Sequence, residues 1–229
     1  ADTRATAIPV GPRLGAVLEL AYRARRAVLL EGATGIGKSE IVRRVADSLG
    51  IRTVVFDLSL LEPPDLVGLP VIKDGRTEYA VPSVLPTEGA GILLLEELNR
   101  AERYIQQPAL QLLSARRLHE YELPKDWICV ATVNPETAEY HVTALDKALR
   151  ARFLQVQVRA DRASWLAWAQ TANLHPGIVS LVQSHERAFD DVPPRTWAYA
   201  AGLLDALAVD DLGDDVLLRD ALGLRSLPR

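Results

Sequence analysis

The segment "GATGIGKS", Gly32 to Ser39, matches G-x-x-x-x-G-K-[ST] at every fixed position. No other feature of the chain restricts its fold as much. Such a loop works only between a buried strand and a helix, because the strand carries it to a sheet edge and the helix N-terminus supplies aligned N–H groups. Both flanks read that way. "AVLLEG" (Ala27 to Gly32) is a short apolar run closed by glycine. "SEIVRRVADSLG" (Ser39 to Gly50) places Ile41, Val42, Val45, Ala46 and Leu49 on one helical face ahead of the Gly50 stop. The glycines let the backbone curl until its N–H groups face phosphate oxygens. The expected nucleotide-binding set is therefore Gly32, Ala33, Thr34, Gly35, Ile36, Gly37, Lys38 and Ser39. Lys38 is expected to reach the β- and γ-phosphates, and Ser39 to ligate Mg²⁺.

The rest of the chain repeats the alternation of strand and helix. "RTVVFDLS" (Arg52 to Ser59), "GILLLEE" (Gly91 to Glu97) and "WICVATVN" (Trp127 to Asn134) read as buried strands, and "AERYIQQPALQLLSARR" as a helix between the last two. "LGAVLELAYRAR", from Leu14, reads as a leading helix. Continuous apolar runs separated by helices predict an α/β fold, a parallel sheet with helices on both faces. Residues 63 to 86 carry a turn signal at Asp74-Gly75 and predict an inserted hairpin, and Arg117 to Asp126 predicts a smaller one. Beyond about residue 160 only helical patterns remain, in "DRASWLAWAQTA", "GIVSLVQSHERAF", "RTWAYAAGLLDALA" and "DDVLLRDAL". The expected organisation is an α/β nucleotide-binding domain over 1–160 and a small C-terminal α-helical lid over 161–229.

Composition narrows the partners. The 229 residues are 48% hydrophobic, enough for a large core, and the formal net charge of −4 offers no global basic field, which disfavours nucleic acid. Cys129 stands alone in apolar "WICVATV", so no internal disulfide can form, and a reducing cytoplasm fits. No basic-then-apolar leader opens the chain, and no apolar run approaches the roughly 18 to 20 residues that span a bilayer; the expectation is a soluble cytoplasmic protein with no membrane contact. His119, His141, His175 and His185 are scattered without metal-ligand spacing, so zinc is not expected. Trp165, Trp168 and Trp197 read as packing within the helical region.

The run "ILLLEELNRA", Ile92 to Ala101, ends four apolar residues in two carboxylates. Beside a phosphate loop, that is where a buried strand delivers acids to the reacting end of a nucleotide. Glu96 falls where the metal-side acid belongs, and Glu97 where the water-activating base belongs.

"LLLEELNRA" together with "EPPDLVGLP" and "VATVNPET" resembles the AAA+ ATPases, and within their dynein-related subfamily the MoxR-like group that includes the CbbQ and NorQ type activases. The resemblance runs from about Ile8 to Leu207. One position departs from the pattern: the family usually has Asp then Glu at the strand end, whereas here both are Glu, which shifts the carboxylate of residue 96 by about 1.5 Å. The resemblance implies ATP with Mg²⁺ as ligands and ATP hydrolysis as the activity. It implies that Asn134 acts as sensor 1, positioning the attacking water, and that Arg195 acts as sensor 2 on the lid. It also implies that a neighbouring subunit offers Arg152 to the γ-phosphate in trans, with Arg150 as the alternative, in a homo-oligomeric and hexameric ring. Asp65 and Gly68 match a segment ahead of the hairpin insert. The implied work is chaperone-like remodelling or activation of a partner protein, often beside a von Willebrand factor A domain protein. Two other readings stay open: a nucleotide-dependent switch or scaffold with little turnover, and a motor subunit of a nucleic-acid machine similar to the McrB-type GTPases. The residues leave adenine versus guanine preference open.

Overall fold

In the computed structural model, residues 7–135, 150–185, 189–190 and 192–207 are described. The helical pattern "DDVLLRDAL" and most of the segment between Asn134 and Arg150 lie outside them.

Six parallel strands form the central sheet in the order β1-β10-β2-β9-β6-β3. They are β1 (Ile8–Pro9), β2 (Val28–Glu31), β3 (Arg52–Asp57), β6 (Ala90–Glu96), β9 (Asp126–Val133) and β10 (Leu154–Arg159). Helices α1 (Pro12–Arg23) and α2 (Lys38–Ser48) cover one face, and α3 (Pro63–Val67) and α4 (Arg103–Ala115) the other. Strand pleating divides the core accordingly. Val28 and Leu30 of β2, with Ile92 and Leu94 of β6, pack against Leu14, Leu18, Val42 and Val45. The intervening Leu29, Leu93 and Leu95 pack against Ile105, Ala109 and Leu112. Every central strand is thus apolar on both sides, the reason its sequence runs are continuous. This is the P-loop fold of the AAA+ type.

Strand β10 breaks that rule, and the sequence pattern alone does not reveal it. In "LQVQVR" only Val156 and Val158 are buried, while Gln155 and Gln157 face outward. A strand covered on one face alternates, so it lacks the continuous apolar signature. β1 contributes only two residues, paired with Val158 and Arg159.

Two antiparallel hairpins stand off the sheet. β4 (Leu69–Lys73) pairs with β5 (Arg76–Ala80) across Asp74-Gly75, and β7 (Arg117–Leu118) pairs with β8 (Tyr121–Glu122). The rings of Tyr79 and His119 stack at 4.0 Å and link the two. Gly68, at the base of the larger hairpin, has φ 88°, and a Cβ there would lie 2.1 Å from the Ala80 carbonyl oxygen, so only glycine closes this turn.

Helices α5 (Arg162–Thr171), α6 (Pro176–Ser184) and α7 (Pro194–Leu207) share their own apolar cluster, built on Trp165, Ile178, Val182, Trp197 and Leu204. Trp197 is fully buried there, and Trp168 packs against the cluster from its edge. Among the described residues no helix is long and apolar enough to cross a membrane.

Candidate active site

The C-terminal ends of β2, β9 and β6 lie side by side, with Glu31 opposite Val133 and Leu95 opposite Ala131. These strands end at Glu31, Val133 and Glu96, so the residues that follow are Gly32, Asn134 and Glu97, and the parallel sheet gathers them at one edge. Gly35 and Gly37 take φ of 77° and 96°, the left-handed region that lets the loop curl back before α2 begins at Lys38.

Lys38 is buried, with 7% of its surface exposed. Its Nζ donates to the carbonyl oxygens of Gly32 (2.5 Å) and Ala33 (2.9 Å) and to Oδ1 of Asn134 (3.0 Å). All three ammonium protons are thereby used, which holds the side chain over the start of the loop. Burial lowers the Lys38 pKa to about 8, with Glu97 and Glu96 opposing that shift and Arg195 adding to it.

Glu97 leaves the strand in a left-handed conformation, φ 56°, so the chain turns at once and its side chain enters the strand-end cluster. Its Oε2 accepts from Nδ2 of Asn134 (2.6 Å) and from Nη1 of Arg100 (3.4 Å). Asn134 thus joins the phosphate-loop lysine to the proposed base: its carbonyl oxygen faces the ammonium and its amide N–H faces the carboxylate. Glu96 accepts a hydrogen bond from Oγ of Ser39. The longer side chain at position 96 therefore stays within reach of the loop.

Two residues that the sequence reading passed over hold this arrangement. Asn99 is buried and pairs with the Asn134 backbone twice, donating from Nδ2 to its carbonyl oxygen (2.8 Å) and accepting its N–H at Oδ1 (3.2 Å). Thr132 accepts the Glu97 N–H at Oγ1 (3.3 Å) and the Leu98 N–H at its carbonyl oxygen (3.0 Å). Their only sequence signal is a small polar residue at, or just beyond, the end of a buried run.

The C-terminal helices meet the loop directly. The Arg195 N–H donates to the Gly35 carbonyl oxygen at 3.0 Å, at the start of α7. Between the loop, the strand ends and helices α5 and α7 lies a cleft of about 1230 Å³. Its polar end holds Lys38, Ser39, Glu96 and Glu97, and Val10, Pro12, Trp168 and Tyr199 also line it. The donor set fits a nucleotide with Mg²⁺. The ammonium, the loop N–H groups and the Arg195 guanidinium suit phosphates, the Ser39 hydroxyl and Glu96 carboxylate suit a hard cation, and the apolar and aromatic walls suit a base.

The two arginines near residue 150 lie elsewhere. Nη1 of Arg150 pairs with Oε2 of Glu31 at 3.3 Å, both partly buried. Arg152 is exposed, and neither arginine lines the cleft.

The family model of the AAA domain, dynein-related subfamily, matches residues 27–153, more than half of the chain. The chain belongs to this family. The matched span of the AAA domain starts at β2 and includes the loop, both glutamates, Asn134 and Arg152. The uncharacterized protein YeaC of Bacillus subtilis (strain 168) is 32% identical over 157 residues, which cover 64% of this chain and 47% of YeaC. BssE of Thauera aromatica, named as a candidate chaperone, is 31% identical over 140 residues, 55% of this chain and 48% of BssE. The chain spans about half the length of these curated relatives. The solved structure of NtrX from Brucella abortus in complex with ADP superposes with a TM-score of 0.61 at 20% identity, covering 97% of this chain and 56% of that one, a likeness of fold alone. The AAA domain family binds nucleotide, and hydrolysis is its general activity.

Proposed function

We propose that this protein is a MoxR-like AAA+ ATPase that hydrolyses ATP to ADP and phosphate at the interfaces of a hexameric ring and uses the cycle to remodel or activate a partner protein. The observation that carries the enzymatic part is the continuous polar chain from Lys38 through Asn134 to Glu97. Lys38 grips the β- and γ-phosphates, and Asn134 and Glu97 sit beside it where an attacking water must stand. Glu97 takes the proton of that water as its oxygen bonds to the terminal phosphorus and the bond to the ADP oxygen breaks. Mg²⁺, when bound through Ser39 and Glu96, supplies neutralising charge to the phosphate oxygens.

The placement of the arginines supports the ring. A site that lacks a cationic residue from the 150–152 turn in its own cleft is completed when a neighbour presents Arg152, and a head-to-tail contact of that kind closes into a ring. Arg195 would carry lid movement, because its backbone already rests on the loop and its side chain reaches the cleft. The chaperone-like role and a von Willebrand factor A domain partner are supported by the motif resemblance and by the name of BssE. We expect the protein to act in the cytoplasm, where its nucleotide is found.

Steady-state hydrolysis by the wild type and by Glu97→Gln, with ATP and GTP as rival substrates, tests the reading. Turnover of ATP that Glu97→Gln loses supports it; wild-type turnover no faster than that variant would leave a nucleotide-dependent switch instead.

A further inference from the structure

We propose that the Thr34 hydroxyl is a side-chain ligand of the terminal phosphate, which makes this chain favour a nucleoside triphosphate over a diphosphate through a contact that the backbone cradle does not supply. The inference rests on nucleotide binding at the phosphate loop and assigns a role to one side chain within it. Thr34 lines the cleft, and its Oγ1 is buried with no hydrogen-bond partner among the described residues. A buried hydroxyl left in that state is costly, so such groups occur where a partner arrives from outside.

The neighbouring acceptors are already engaged. The Gly32 and Ala33 carbonyl oxygens accept from Lys38 Nζ, and the Gly35 carbonyl oxygen accepts from the Arg195 N–H. What the Thr34 hydroxyl lacks is an acceptor entering from the cleft, and phosphate oxygens are strong acceptors. Three other buried polar side-chain atoms lack partners among the described residues: Thr53 Oγ1, Trp165 Nε1 and Trp197 Nε1. Thr53 and Trp197 do not border the cleft, and Trp165 borders it from the lid. Thr34 alone of the set belongs to the phosphate loop.

Position selects the terminal phosphate. The Lys38 ammonium arches back to the carbonyls of the two residues just before Thr34, and its remaining proton goes to Asn134, whose amide holds Glu97. The groups that act on the terminal phosphate thus converge on the Gly32 to Thr34 side of the loop. The N–H groups further along, at the α2 N-terminus, serve the inner phosphates.

The test is calorimetric binding of ATPγS and of ADP to the wild type, Thr34→Val and Thr34→Ser, with the melting temperature of each free protein. Valine keeps the shape and removes the donor. Thr34→Val is expected to weaken ATPγS by roughly tenfold and ADP by less than about twofold, and Thr34→Ser to restore ATPγS binding. The free Thr34→Val protein should melt no lower than the wild type, because a hydroxyl without a partner gives way to a methyl of similar size. Equal weakening of both nucleotides, unchanged ATPγS affinity, or a lowered melting temperature with binding intact would each overturn the assignment. A wild type that bound neither nucleotide would overturn the nucleotide reading and this contact with it.

Discussion

The strand-end cluster and the 150–152 turn are two halves of one proposed site, built in opposite ways. At the strand ends, Lys38, Ser39, Glu96, Glu97 and Asn134 come from three distant segments and are joined side chain to side chain within a single subunit. At the turn, Arg150 is held by Glu31, and Arg152 is exposed and does not line the cleft of its own chain. The first half is preorganised by the sheet and needs no partner to assume its shape. On the proposed reading, the second serves a neighbour. If that reading holds, binding is a property of the single chain and hydrolysis a property of the proposed assembly.

The strongest way to break this contrast is at Arg152. Arg152→Ala is expected to lower kcat by about 10³-fold or more while leaving ATPγS affinity of the isolated chain unchanged, as steady-state assays and calorimetry would show. Loss of affinity in the isolated chain would place Arg152 in its own cleft. Within the strand-end half, Asn134→Ala removes both the brace on Lys38 and the amide on Glu97. Turnover should fall by about 10²-fold, with a smaller loss of nucleotide affinity.

A third prediction follows from Lys38, whose pKa burial has brought down to about 8. A bound phosphate favours the ammonium, so the complex retains a proton that the free protein releases near pH 8. Binding therefore takes up a proton above that pH, and affinity should fall by up to about tenfold per pH unit as pH rises further. Titration calorimetry in buffers of different ionisation enthalpy measures the uptake directly, and a pH-independent affinity between 7 and about 9.5 would contradict it. The same linkage acts on folding: the folded chain binds fewer protons than the unfolded one between pH 8 and the ordinary lysine range, so this residue opposes folding below pH 8 and ceases to oppose it as pH rises.

The smallest effect belongs to the Glu31–Arg150 pair. Glu31→Gln should cost less than about 1 kcal/mol in chemical denaturation, because the pair is only partly buried. Arg150→Ala should retain most of the turnover that Arg152→Ala loses, which separates the two arginines as candidates for the trans contact.

The contrast also explains what the sequence could convey. The strand-end half was legible because its residues sit at fixed spacings after continuous apolar runs: "AVLLE" ends at the loop, "ILLL" at Glu96 and Glu97, "WICVATV" at Asn134. Strand β10 was not, because cover on one face gives "LQVQVR" an alternating pattern with two glutamines. Asn99 and Thr132 carry no such signal for another reason. Their work is to tie one strand end to the next, and that depends on sheet order, which no local pattern states. The Thr34 hydroxyl is similar, since only the engagement of the surrounding carbonyls marks it out.

The most direct test of a site shared between subunits is hydrolysis by rings mixed from Lys38→Ala and Arg152→Ala chains, each inactive alone. The Arg152→Ala chain keeps an intact strand-end half, and the Lys38→Ala chain keeps an intact arginine to offer. The account predicts turnover in mixed rings well above that of either variant. No recovery in rings shown to contain both chains would contradict it.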